Sequence, residues 1–329
     1  MFIELVCHDW CVSMKLETLP STTDKLLYIS HCMNSLWLSV QDLIINTTAV
    51  LRWTCCLCTV GQVVHTLPEG PPVWGVTSLD NEIFLFRPKG RDQVEVYDVI
   101  TYRLQRCLTV SNARGFTDMT SCQHYHCLYI GDPYAECVHR LDVDGSATLW
   151  PVNDLPFGLS ANAAHNVIVT CGLVRKIKEF SSHGDLLQEL TFPDDVINPW
   201  HTIQSRSGQF IVCHGRPNDA IHRVCIISAD GRHIVHSHGG QRGSCITGRF
   251  NVPRHMAVDN DNECVYVADA FSRRVTLLSP TLDYTRQVVS SDKLKWLPIR
   301  LWLDVQRRRL YVVDSDDESM VGRAVVFSV

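Results

Sequence analysis

The chain has 329 residues, of which 45% are hydrophobic and 20% charged, with a formal net charge of −5. That composition excludes a disordered chain, and the negative balance gives no whole-molecule attraction to nucleic acid or to an anionic membrane. Fifteen cysteines would suggest a disulfide scaffold only in a short secreted chain; here many lie in apolar runs, as at Cys127, Cys171, Cys213, Cys225 and Cys264, where a reduced thiol serves as a small hydrophobe.

Residues 1–57 form a cysteine-rich leader, expected to be poorly ordered or to hold one helix over 24–53. Its first residues, MFIELVCHD, carry acids where a signal peptide would be apolar. Its longest apolar stretch, 36–53, is interrupted by Gln41, Asp42 and Asn46. The expectation is therefore a cytoplasmic protein without a membrane span. Cys7, Cys11, His31, Cys32 and the Cys55/Cys58 pair invite a zinc reading, set against unpaired thiols. From residue 58 onward the pattern changes to short β-branched and aromatic runs separated by turn residues. Residues 60–67 read as one lone strand. Then come groups of four strands over 70–110, 114–152, 155–192, 197–240, 250–290 and, with only three strands, 296–329. Outer hairpins are marked by DVDG (142–145), SSHG (181–184), SADG (228–231) and SPTLD (279–283); Asp-Gly is a strong hairpin turn because both centre positions need positive φ. HSHGGQRGS (236–244) reads as a glycine-rich mobile connector.

The clearest unit is FNVPRHMAVDNDNECVYVADAFSRRVTLLSP (250–280): strand, turn, strand, loop, strand. Its second run, ended by Asp, recurs as LYIGD (128–132) and LYVVD (310–314), with looser copies at 83–87, 168–171 and 210–214. Upstream triplets centre on Gly75, Asp118, Gly158, His201, His255 and Arg300, 40 to 54 residues apart, a period that suits one propeller blade. The proline, the apolar stretch ending in Asp, the YVAD run and the Arg-Val strand of 250–280 resemble the NHL repeat. The resemblance covers about residues 60–329 and is to the six-bladed propellers of TRIM-NHL proteins and to free-standing NHL modules. It implies an all-β, six-bladed β-propeller over 58–329. Residues 60–67 would complete the last blade, because a ring closes by lending a strand from one terminus to the other. The leader's cysteine spacing matches neither a RING nor a B-box, so the ubiquitin-transfer activity that such proteins owe to a RING is not implied.

Antiparallel pairing puts the start of each inner strand and the end of each second strand on one face. That face is expected to collect Asp118, His201, His255 and Arg300 around the channel. Trp74, Arg87, Lys89, Arg91, Arg175, Lys176, Trp200, His214, Arg216, Arg273 and Arg274 would surround them. Asp132, Asp269 and Asp314 recur with the repeat and are expected to cap loops or pair with arginine. His201, His255 and Asp118 could hold a divalent ion, as in NHL-like metal-dependent lyases. Against this, Gly75 and Gly158 offer no ligand and Arg300 would repel a cation, so hydrogen bonding to channel water is the simpler expectation. Three functions follow. The first is a non-catalytic, cofactor-free, monomeric module presenting one face to a protein or peptide, with substrate recognition in a ubiquitin-ligase setting as one form of it. The second is an RNA-binding propeller using the basic residues of that face. The third is a metal-dependent lyase or hydrolase with its site in the channel.

Overall fold

Strands this short bury an apolar face only by pairing with their immediate neighbours and then stacking sheet on sheet. The computed structural model, which describes residues 2–7, 10–15, 61–87, 93–110, 112–115, 117–241, 249–316 and 318–329, shows how this is resolved. The chain divides into two compact units, residues 1–59 and 60–329. In the first, Phe2–Cys7 and Trp10–Lys15 pair as an antiparallel hairpin. The helix expected over 24–53, and the cysteines and histidine at 32, 55, 58 and 31, lie outside the described residues.

The second unit is six four-stranded antiparallel sheets, the six blades of a β-propeller. Their inner strands are Gly75–Leu79, Asp118–Cys122, Gly158–Ala161, Pro199–Gln204, Pro253–Val258 and Leu297–Asp304. Each blade is built in chain order except the sixth, whose outer strand is Gln62–Thr66. That strand pairs antiparallel with the last strand, Val321–Ser328, in a register that sets His65 opposite Val326 and Val63 opposite Phe327. Residues 60–67 therefore close the ring as expected. The same seam is extended by Leu67 N–H donating to Ala324 O at 2.9 Å and by paired bonds between Gly70 and Gly322.

The core lies between blades. Six apolar clusters each straddle one blade-to-blade contact, for example Phe84, Phe86 and Val96 of blade 1 against Met119, Leu128 and Ile130 of blade 2. Cysteines at 127, 171, 213 and 225 are buried in these clusters or beside them as free thiols. Two local expectations differ from what is found. In the three outer hairpins that hold a glycine, positive φ falls on Gly145, Gly184 and Gly231 and not on the residue before, and each donates its N–H to the carbonyl three residues back. These are type I turns ended by a left-handed glycine, not two-residue Asp-Gly turns. Residues 236–241, read as part of the connector 236–244, belong to the outer strand of blade 4, Ile234–Gln241, because successive residues from His236 to Gln241 pair with Ile221–Ile226.

Candidate functional site

At the first or nearly first position of the six inner strands stand Gly75, Asp118, Gly158, His201, His255 and Arg300. Blades 4, 5 and 6 carry a β-bulge just before the polar residue, between Pro199 and His201, Pro253 and His255, and Pro298 and Arg300. A bulge re-aims a side chain, here toward the axis; the extra residue is Trp200, Arg254 or Ile299, and the proline before it sits at or near the start of the strand, where proline is tolerated. The proline two residues upstream (156, 199, 253, 298) is a sequence signal for these positions that the repeat reading did not use. The glycines are needed for close approach. A Cβ on Gly158 would stand 2.5 Å from Trp200 O and 2.9 Å from His201 Cα, and one on Gly75 would stand 2.8 Å from Met119 Cβ.

The four polar side chains converge on Asp118. Its Oδ1 accepts the Met119 N–H at 2.9 Å and faces Arg300 Nε at 3.0 Å. Its Oδ2 accepts the Leu159 N–H at 2.8 Å and the His255 Nε2–H at 3.2 Å. Arg300 also donates to Ile299 O and Thr117 O. His255 Nδ1 accepts the Leu301 N–H at 3.3 Å, which places the proton on Nε2. His201 stacks on His255 with centroids 3.8 Å apart and donates from Nε2 to Leu159 O at 3.0 Å. This hub is buried and binds blades 2 to 6 to one another. Burial opposes the charge on Asp118, but His255 and Arg300 outweigh it and hold the carboxyl below its usual range. Burial, then His255, pushes the His201 imidazole down to about 3; burial also lowers His255. Both rings are thus neutral near pH 7.

A divalent ion does not fit this hub. His201, His255 and Asp118 do come within 4.8 Å of one another. However, the imidazole planes are stacked at 25°, so their lone pairs run nearly side by side instead of meeting. A guanidinium also lies 3.0 Å from the carboxylate, where a cation would be repelled. His201 Nδ1 has no hydrogen-bond partner among the described residues.

Beyond the hub the channel widens into a funnel of about 620 Å³. It opens among the turns that join inner to second strands, lined by Asn81, Gln123, His165, Asn260 and Gln306 near the mouth and by Met119, His201 and His255 at the floor. It therefore opens on the face opposite the one expected to bind.

On the expected face, most of the anticipated residues serve the fold. Arg87 is buried, paired with Glu95 at 3.0 Å and donating to Pro68 O and Gly322 O. Arg274 is buried against Asp269 at 2.8 Å. His214 is buried, its imidazole pushed down to about 4 by burial and by Arg223. Arg175 pairs with Asp194, Lys176 with Glu189, and Arg273 donates to the carbonyls of Leu294 and Lys295. Trp74 is half-buried between blades. Lys89 and Arg91 lie outside the described residues. Trp200 and Arg216 do come together at the surface: Arg216 and Arg254 lie over the Trp200 ring at 5.6 and 5.3 Å, and Phe157 packs edge-on at 6.0 Å. Missed by sequence reasoning are the apolar tips of the loops between second and third strands. Tyr134 is 70% exposed, Leu173 52%, Phe271 41% and Met320 40%. Val174 and Ile197 are exposed as well. Their signal was an apolar residue at a loop tip where a polar one would be expected.

No protein-family model matches the chain and no curated protein does. Solved structures do. Kuenenia stuttgartiensis hydrazine synthase is 13% identical with a TM-score of 0.59, covering 82% of this chain and 98% of that one. A streptogramin B lyase is 10% identical with a TM-score of 0.56, covering 82% and 89%. The Myceliophteria thermophila Cps50 (Swd1) β-propeller domain is 10% identical with a TM-score of 0.53, covering 82% and 99%. At these identities the likeness shows the propeller fold alone.

Proposed function

We propose that the protein is a non-catalytic interaction module that presents the loop face between second and third strands to an apolar segment of a protein partner. The observation that carries this reading is the exposure of Tyr134, Leu173, Phe271 and Met320 on one face, from blades 2, 3, 5 and 6. Exposed aromatic and aliphatic side chains on a rigid ring, beside an arginine-flanked tryptophan, have the composition of an interface centre. The Cps50 (Swd1) β-propeller domain, a structural neighbour, belongs to a fold class that commonly mediates protein interactions. A TRIM-NHL-like ubiquitin-ligase setting rests on the sequence resemblance alone, and the proposal does not extend to it.

An RNA reading is disfavoured by charge. Arg87, Arg175, Lys176, Arg274, Lys295 and Arg323 are each paired with an acid, which leaves a mixed surface instead of a basic stripe. A lyase or hydrolase reading is disfavoured by the hub, whose donors are spent on neighbouring blades.

The test is to place a photo-crosslinking residue at position 173 or 271 and, as a control on the opposite face, at position 100. Partner affinity is then measured with Leu173→Asp and Phe271→Asp. Crosslinks confined to 173 and 271, and at least a tenfold loss of affinity in the variants, support the reading. Equal crosslinking at position 100, or RNA recovered with an affinity that falls steeply with salt, would reject it.

A further inference from the structure

In blades 5 and 6 the second strand ends in a buried aspartate whose cross-strand partner is an arginine. Asp269 lies opposite Arg274 and Asp314 opposite Arg323, with Nε–Oδ2 distances of 2.8 and 2.9 Å. Each pair is electrically neutral, and each carboxylate also accepts loop N–H groups, from Asn251 in one case and from Lys295 and Trp296 in the other. Blade 2 keeps the aspartate and changes the partner. Asp132 is fully buried and accepts the N–H groups of Arg114, Tyr134 and Ala135, but Cys137 stands opposite it. Among the described residues its one ion-pair contact is His139.

Cys137 and His139 lie two apart on one strand, hence on one face. His139 Nε2 lies 3.4 Å from Cys137 Sγ and 3.4 Å from Asp132 Oδ2. All three donor atoms fall within 4.8 Å of one another. A separation of 3.4 Å is long for a hydrogen bond between imidazole and carboxylate. It matches the edge of a tetrahedron around zinc: Zn–N, Zn–O and Zn–S bonds of about 2.0–2.3 Å give donor separations of roughly 3.3–3.6 Å. The contrast with the channel hub lies in the guanidinium: there Arg300 stands 3.0 Å from the carboxylate, whereas the contacts of Asp132 are backbone N–H groups and His139. A groove of about 690 Å³, lined by Arg114, Tyr134, Glu136, Cys137 and Leu149, reaches the cluster at Cys137.

From this we infer that Asp132, Cys137 and His139 form a zinc-type site, binding a divalent cation through one carboxylate oxygen, one thiolate and one imidazole nitrogen. Coordination releases the thiol proton to solvent. The resulting carboxylate, thiolate and dication sum to zero charge, the same balance that the Asp–Arg pairs reach in blades 5 and 6. Metal would also fasten the loop carrying Tyr134, since Asp132 already holds the N–H groups of Tyr134 and Ala135. The site has a structural role and does not depend on the proposed protein interface.

The test uses the full, reduced chain titrated with Co²⁺, reading thiolate-to-metal charge-transfer absorption, and with Zn²⁺, reading thermal stability. Cys137→Ser removes the soft ligand. Cys137→Arg rebuilds the Asp–Arg pair of the sister blades, so it keeps a folded reference if the serine variant is unstable. The chain holds fourteen other cysteines, so the readout is the difference between wild type and variant. The expected result is one fewer bound equivalent in both variants, at least an approximately 100-fold loss at this site, and a zinc-induced rise in melting temperature that Cys137→Arg lacks. Equal cobalt binding and identical spectra in wild type and Cys137→Arg would overturn the assignment and leave His139 as a proton-bearing partner of Asp132.

Discussion

Substituting Asp118 by Asn tests the hub that joins five blades. The asparagine has nearly the same shape but no charge, so Arg300, buried and 3.0 Å away, loses its counterion. Its amide nitrogen must also face one of three donors, the Met119 N–H, the Leu159 N–H or His255 Nε2–H. Breaking a buried ion pair from one side costs about 3–5 kcal/mol, and a mismatched buried donor adds about 1–3 kcal/mol. For a domain of this size, about 4 kcal/mol corresponds to a fall of roughly 8–16 °C in melting temperature. The assay is urea denaturation followed by tryptophan fluorescence, with Arg300→Met and the double variant completing a cycle. Removing the arginine as well takes away the uncompensated charge, so the double variant should be more stable than Asp118→Asn alone. A loss of less than about 0.5 kcal/mol for Asp118→Asn, or strict additivity in the cycle, would show that the hub does not couple the blades.

Acid should loosen the ring before its carboxylates titrate. His201 and His214 have folded pKa values of about 3 and about 4, below the unfolded value of about 6.5. Between those limits the unfolded chain binds the protons, so stability is full above about pH 6.5 and falls as pH drops. Each of these histidines should contribute about 2–3 kcal/mol of loss by pH 4.5, and Asp118, with its lowered pKa, adds its own loss only below about pH 4. Denaturation midpoints that stay flat between pH 6.5 and 4.5 would contradict the neutral assignment. Deleting residues 60–67 removes the outer strand of blade 6 and exposes the ladder of Val321–Ser328. Loss of the cooperative unfolding transition is expected, and an unchanged midpoint would refute closure by that strand.

The ring was legible in the sequence because its signals repeat. Aspartate-ended runs such as YVAD and LYVVD, and a period of 40 to 54 residues, fixed blade limits and the strand exchange at 62–66. The convergence of Asp118, His201, His255 and Arg300 was legible for the same reason. What those residues do was not, since it depends on angles: whether two imidazoles meet or stack, and whether Arg300 reaches the carboxylate. Arg87 read as a ligand-binding cation because its acidic partner, Glu95, is set across a strand ladder, whereas the pairing of Arg274 with Asp269 was among the expectations for the recurrent aspartates. The Cys137–His139 pair was hidden because blade 2 matches its sister blades in the aspartate and differs only opposite it. The ties made by the basic run 307–309 were not legible in the sequence either. Arg307 pairs with Asp304 and reaches Asn81, and Arg308 pairs with Asp259 at 2.6 Å, tying blades 5, 6 and 1 through side chains distant in sequence.

The measurement closest to the functional claim is hydrogen exchange on the full chain with its crosslinked partner bound. The account predicts slowed exchange in the loops carrying Tyr134, Leu173, Phe271 and Met320, with the funnel mouth unchanged. Protection at Asn81, Gln123, Asn260 and Gln306 instead would place the partner on the opposite face and contradict it.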